Sequence, residues 1–242
     1  MFAKVLLWVF ALLSPSLPAL PIIHETPVVA GVVCDCVVYE EKTMEAAAGR
    51  LSAGDSVEIL QDFSALVYKV MSYFDGTTGW VAAECLQIPA EWPTDKSSVT
   101  SKQLENFVNT QKYASPTGHL LLTDINRQKL HVFYADGAKW RHKKSFDCAT
   151  GLNISPTTRG TFSITERGPW FYSERLASGA KFWMRFNDQY LIHSIPMDKA
   201  QKPLPGQGDV GQKGSNGCIR LALPDVKWLY ENIPDGTTIV VI

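Results

Sequence analysis

The sequence predicts a mainly β chain, a small barrel followed by a larger β domain with one or two short helices. Three observations carry this. Short apolar runs alternate with polar residues and are cut by turn residues such as Ala53-Gly54-Asp55 and Asp75-Gly76. The same texture returns after residue 117. Only two stretches, 102–111 and 224–232, have helical spacing of apolar residues. The 242 residues are 45% hydrophobic and 19% charged, a globular composition. Lys and Arg total 23 against 24 Asp and Glu, so no basic excess points to nucleic acid or anionic lipid.

Residues 1–20 read as a secretory signal peptide: Lys4, the nine apolar residues Val5 to Leu13, then Ser14-Pro15-Ser16-Leu17-Pro18-Ala19. Nine residues would span only about 14 Å as a helix, too short for a bilayer. The mature chain is therefore expected to be secreted to the cell wall side, with no stable membrane span after cleavage.

Residues 28–88 are expected to form the small barrel, with strands at Val28 to Val38, Ser56 to Gln61, Val67 to Tyr73 and from Gly79 onward. Residues 89–117 read as a linker. Within it Lys102 to Gln111 forms a short helix with Leu104, Phe107 and Val108 on one face and Ser101 as its cap. Residues 118–242 carry strands at Leu120 to Asp124, Lys129 to Tyr134, Lys139 to Cys148, Phe162 to Ile164, Lys181 to Phe186, Tyr190 to His193 and Thr237 to Ile242. The second helix, Pro224 to Asn232, has proline in its first turn and Pro234 after it.

Five cysteines, an odd number, leave at least one thiol unpaired after export. Cys34, Cys36, Cys85 and Cys148 lie in or beside strand-like runs and suit either buried small side chains or disulfides. Cys218 differs: it follows the loop Lys213-Gly214-Ser215-Asn216-Gly217, whose backbone N–H groups are free to face a ligand. A nucleophilic thiol needs a base. Of five histidines, His193 ends an apolar strand where side chains reach a cleft. No two His or Cys have helical ligand spacing, and Cys34-x-Cys36 is too short and apolar for a zinc pair, so neither metal nor cofactor is expected.

These residues resemble the catalytic domain of L,D-transpeptidases, the YkuD-like family. The resemblance rests on His193-Ser194, a 21-residue loop, and Ser215-Asn216-Gly217-Cys218-Ile219-Arg220. Cys148-Ala149-Thr150-Gly151 and Ser155 to Phe162 are similar to the family's upstream strand pair. Asn216 stands where many members have His, and Thr158 replaces a usual Pro. The resemblance implies a β-sandwich catalytic domain over 118–242 and peptidoglycan stem peptides as substrate. It implies Cys218 as nucleophile, His193 as base and Ser194 as the group orienting the imidazole. Gly217 and Cys218 N–H groups would hold the oxyanion, Ser215 and Asn216 would line and brace the loop, and Arg220 would meet a stem carboxylate. Acylation by carbapenem-type inhibitors is implied as well. Trp170, Phe171 and Tyr172 read as part of a lid in a Gly/Ser-flanked loop, or as core. Residues 28–88 resemble a bacterial SH3 module that binds wall material, which leaves catalysis to a chain starting near Ser97. A monomer is expected.

A papain-like wall endopeptidase also pairs Cys with His, but there the Cys precedes the His, and no His follows Cys218. A catalytically silent wall-binding protein and an L,D-carboxypeptidase are the other readings.

Overall fold

The computed structural model describes residues 23–242; the segment read as a signal peptide lies outside them. The chain is mainly β, and its strands fall into two sheets.

The first sheet is antiparallel and has seven strands: β1 (Val29–Val32), β2 (Cys36–Tyr39), β3 (Ala47–Leu51), β4 (Ser56–Phe63), β5 (Val67–Ser72), β6 (Thr78–Ala82) and β7 (Leu86–Gln87). Their order is β3-β2-β6-β5-β4-β1-β7. Ala30, Val32, Val38, Leu51, Val57, Ile59, Tyr68, Val70 and Val81 bury one face, as the alternating pattern requires. The run Val28 to Val38 is two strands rather than one. It breaks at Cys34-Asp35 because the Asp35 carboxylate accepts the Ala53 N–H at 2.9 Å. Strand β3 went unread because its sequence, Ala-Ala-Gly-Arg-Leu, has little β propensity.

A connector leads to α1 (Ser101–Thr110). Its cap is Thr100 rather than Ser101: the Thr100 hydroxyl accepts the Gln103 N–H, and the Gln103 side chain accepts the Thr100 N–H, a capping box.

The second sheet contains β8 (His119–Asp124), β9 (Lys129–Asp136), β10 (Lys139–Ala149), β11 (Gly160–Ser163), β12 (Glu166–Ser173), β13 (Ser178–Asn187), β14 (Tyr190–Ser194), β15 (Ile219–Leu221) and β16 (Thr238–Val241), with α2 (Leu223–Asn232) before the last. The order is β11-β16-β8-β9-β10-β15-β14-β13-β12. Strand β10 serves both halves: Lys139 to Asp147 pair with β9, while Cys148 and Ala149 pair with β15. The sheet turns on itself at this point. Leu121, Val132 and Ile239 of one half pack in a single core with Met184, Phe186, Ile192 and Ile219 of the other, closed by Val226 and Leu229 of α2. Helix α1 covers the outer face of β8, β9 and β16 through Leu104, Val108, Leu120, Leu122, Phe133 and Val240.

The two sheets meet through polar contacts. The Tyr68 hydroxyl donates to the Ile154 carbonyl at 2.8 Å, and the Ser155 hydroxyl donates to the Asp62 carboxylate at 2.9 Å. The Gln189 amide donates to the Asp62 carbonyl at 3.1 Å, and Arg159 pairs with Glu58. Burial pushes the Asp62 carboxyl above the usual carboxylate range, with the Ser155 hydrogen bond opposing it.

Candidate active site

Strands β14 and β15 run parallel, with Ile192 beside Ile219, His193 beside Arg220 and Ser194 beside Leu221. Side chains alternate along each strand. Ile192, Ile219 and Leu221 enter the core. Leu191 and His193, and on the neighbouring strand Cys218 and Arg220, therefore share the opposite face. The Leu191 N–H accordingly donates to the Cys218 sulfur at 3.4 Å. The thiol also lies 3.9 Å from the Gln189 carbonyl. Cys218 keeps partial exposure, which leaves it open to a ligand, while dense protein surrounds its other sides.

His193 is buried, and its Nδ1 stands 2.6 Å from the Ser194 carbonyl oxygen. A carbonyl can only accept, so Nδ1 carries the hydrogen and Nε2 keeps its lone pair. The Ser194 hydroxyl does not serve the imidazole: it donates to the Ile195 carbonyl and accepts the Lys181 N–H. Burial pushes the His193 imidazole down to about 4, opposed by the Ser194 bond and aided by Arg220. Burial pushes the Cys218 thiol up, against the Leu191 N–H and the Arg220 charge. Both shifts favour uncharged partners, a neutral thiol beside a neutral base.

The loop before the thiol is held by Ser215, whose hydroxyl donates to the Cys218 carbonyl and accepts the Gly217 N–H. The Gly217 N–H is thus engaged within the loop. Gly217 has φ +97°, and a Cβ there would sit 2.5 Å from Cε1 of Tyr190. Thr157 donates to the Gly217 carbonyl at 2.7 Å. Asn216 is exposed, and the bonds that brace the loop come from Ser215 and Thr157 instead.

The Arg220 guanidinium is half-buried and donates to the Gly214 carbonyl at 2.9 Å, while its Nε is buried without a partner among the described residues. Burial holds its pKa below the usual value. Trp170, Phe171 and Tyr172 lie on the edge strand β12, not in a loop. Phe171 meets His193 edge to face, with ring centroids 5.8 Å apart. Among the described residues no group of three or more His, Cys, Asp or Glu is arranged to hold a metal, and no helix is long and apolar enough to cross a membrane.

The profile of the YkuD L,D-transpeptidase catalytic domain matches residues 118–242. The chain belongs to the YkuD L,D-transpeptidase family. Over 165 residues it is 33% identical to YciB of Bacillus subtilis (strain 168), itself an L,D-transpeptidase by inference; the match covers 59% of this chain and 84% of YciB. Among solved structures, a fused Zn-dependent amidase/peptidase/peptidoglycan-binding domain-containing protein from Clostridium acetobutylicum is 27% identical, with 59% of each chain covered and a TM-score of 0.49. An L,D-transpeptidase from Stackebrandtia nassauensis is 22% identical, covering 55% of this chain and 59% of its own, with a TM-score of 0.43. The chain thus spans 59% of each of these solved chains. Gln189 and Leu191 meet the thiol without having been singled out in the sequence; Leu191 and Tyr190 were read there only as strand, and Thr157 only as part of the upstream motif. The parallel pairing of β14 with β15 is what sets the first two against the thiol, and parallel pairing leaves no local signature.

Proposed function

We propose that this chain is an extracytoplasmic L,D-transpeptidase acting on peptidoglycan stem peptides. Cys218 attacks the carbonyl that links the L-centre of diaminopimelate to the terminal D-Ala of a tetrapeptide stem. The Cys218 S–C bond forms, the proton passes from sulfur to His193 Nε2, and the amide C–N bond breaks as that proton returns to the departing amine. The side-chain amine of a second stem then attacks the thioester carbonyl and releases the thiol, leaving a 3→3 cross-link. The Cys218 N–H is the oxyanion donor in this reading; one such donor is typically worth about 2.7–4 kcal/mol.

The observation that carries the proposal is the shared face of β14 and β15, where a partly exposed thiol and an imidazole with a bare Nε2 stand beside a cation. Among the described residues Arg220 has no carboxylate as a hydrogen-bond partner, which suits a stem carboxylate. Residues 118–242 are the catalytic domain in this proposal, and residues 28–88 an SH3-like module that positions wall material, joined by the linker 89–117. Residues 1–20 are a cleaved signal peptide. The enzyme acts as a monomer without cofactor, and carbapenem-type inhibitors acylate Cys218.

Incubation with a disaccharide-tetrapeptide, followed by mass spectrometry, tests this. A cross-linked dimer is expected, lost in Cys218→Ala and kept in Cys148→Ala, whose side chain lies wholly in the core. Tripeptide alone means that water resolves the thioester, an L,D-carboxypeptidase. No product and no carbapenem adduct leaves a wall-binding protein.

A further inference from the structure

The first sheet contains a second group of nucleophilic side chains, remote in sequence from Cys218. Its β1 and β7 pair antiparallel, Val32 with Leu86, and the ladder ends where the Val33 N–H donates to the Cys85 carbonyl at 2.9 Å. The chain then turns over Cys34-Asp35 and returns as β2 at Cys36. This turn is pinned from both sides. The Asp35 carboxylate accepts the Ala53 N–H, and the Val32 carbonyl accepts the Gly54 N–H at 2.8 Å. The pinned turn brings both of its cysteines to the short 3-10 turn Ala83–Cys85. The Val33–Cys85 bond sets Cys85 beside the residue that precedes Cys34, so the three cysteines lie at one end of the sheet. Cys34 is exposed, Cys36 is half-buried and Cys85 is buried.

We propose that Cys34, Cys36 and Cys85 form an oxidation site that closes a Cys34–Cys85 disulfide. The graded exposure assigns the order of events. A low-molecular-weight disulfide, RSSR, reaches Cys34 first. The Cys34 thiolate attacks one sulfur, forming a mixed disulfide and releasing RS−. Cys85, whose thiol burial pushes up to about 12, loses its proton as it attacks the Cys34 sulfur, forming the protein disulfide and releasing the second RS−. Two thiols and RSSR become one disulfide and two RSH, so atoms and electrons balance. Cys36 stays as a thiol. The bond ties the β1–β2 turn to the turn before β7, closing a loop of about fifty residues, the length at which cross-links restrict the unfolded chain strongly.

The test uses the full chain oxidised with glutathione disulfide, then alkylated under denaturing conditions and digested with trypsin. Two of the five thiols should be lost, and the peptide ending at Lys42 should be joined to the peptide 70–96. No Lys or Arg separates Cys34 from Cys36, so variants assign the bond. Cys36→Ser should still close it, while Cys34→Ser should oxidise at least tenfold more slowly. Cys85→Ser should stop at a glutathione adduct on Cys34. Oxidation should raise Tm by at least about 5 °C in the native chain and not in Cys85→Ser. Should Cys85→Ser fail to fold, Cys34→Ala/Cys36→Ala replaces it and should show no Tm shift. Five remaining thiols, a stable adduct without closure in the native chain, or equal oxidation of Cys34→Ser and native protein overturns the proposal.

Discussion

The Nδ1 of His193 stands 2.6 Å from the carbonyl oxygen of Ser194, the next residue in the chain. A side chain has turned back onto its own backbone, and this fixes the tautomer without a third catalytic side chain. The sequence resemblance implied Ser194 as the group orienting the imidazole. It is the Ser194 carbonyl that meets Nδ1, because the hydroxyl projects to the other face of β14.

The first prediction concerns pH. An imidazolium–thiolate pair would give a shoulder of thiol reactivity at low pH, as the Cys–His pairing in the sequence suggested. The shifts run the other way: His193 is pushed down to about 4 and the Cys218 thiol is pushed up, both by burial. Above about 4, and until the pH reaches the raised thiol range, both groups are neutral. Iodoacetamide should therefore alkylate Cys218 with no low-pH shoulder, its rate rising only on the alkaline side. Acylation by substrate needs neutral His193 and should fall only as pH drops toward about 4. His193→Ala should reduce acylation by about 10²–10⁴-fold, while His119→Ala and His142→Ala keep most of it. A shoulder near neutrality in the native protein, absent in His193→Ala, would falsify the neutral-pair ground state.

The second prediction separates the residues of the loop. Gly217→Ala forces a Cβ to 2.5 Å from the Tyr190 ring at a positive φ, so both strain and overpacking oppose it. Acylation should fall at least 100-fold, with about 1–3 kcal/mol lost in stability. Ser215→Ala removes two hydrogen bonds within the loop and leaves the Gly217 N–H without its acceptor, so a roughly ten- to hundredfold loss is expected. Asn216→Ala removes none of these bonds and should stay within about twofold of the native rate. Equal losses for Ser215→Ala and Asn216→Ala in single-turnover acylation would show that the bracing is wrongly attributed.

How much of this was legible beforehand follows from the range of each interaction. Period-two alternation is local, so most strands of both sheets were readable, as were α2 and its proline. The run through Val28 to Val38 was misread because its break depends on Asp35 bonding to Ala53, eighteen residues away. The site motif named Cys218, His193 and Ser215, since residue type and order carry that information. It did not show that Ser215 takes up the Gly217 N–H, nor that Phe171 borders His193 from an edge strand. Those depend on the register of β12, β13 and β14, which is set across the sheet.

A third prediction follows from His131, buried on the α1 side of β9. Its Nδ1 lies 2.7 Å from the Ser145 hydroxyl, which also lies 2.8 Å from His142 Nε2. Burial first, then the charges of His142, Lys129 and Arg127, push His131 down to about 3. An unfolded histidine titrates near pH ~6.5. The unfolded chain therefore binds the proton that the folded chain refuses, and stability is lost as pH falls from about 6.5 toward 3. The loss is on the order of 5 kcal/mol when complete. His131→Gln keeps a hydrogen-bonding side chain and cannot titrate. Urea denaturation at pH 7 and pH 4 should show a smaller fall for His131→Gln than for the native chain, whatever their difference at pH 7. Parallel falls would mean that His131 is not the group responsible.

The last prediction concerns the first sheet. Read from the sequence, residues 28–88 are an appendage, and a chain beginning at Ser97 should acylate normally. The contacts argue otherwise. Gln189 offers its carbonyl to the Cys218 thiol and its side-chain amide to the Asp62 carbonyl, so one residue joins Cys218 to β4. Asp62 also holds Ser155, two residues before the Thr157 that donates to the Gly217 carbonyl. Asn153 bonds to the carbonyls of Pro89 and Ala90 in the connector. Removing residues 23–96 leaves each of these groups facing water in place of a fixed partner. At about 1 kcal/mol for a typical hydrogen bond, freeing two or three of them is enough for a roughly tenfold or greater loss of acylation. The truncated chain should show that loss with a small carbapenem, where affinity for the wall plays no part. Asp62→Ala in the full chain should reproduce part of it with β-sheet circular dichroism unchanged. If the truncated chain reacts with carbapenem at the native rate, the first sheet does not support the loop that carries Cys218.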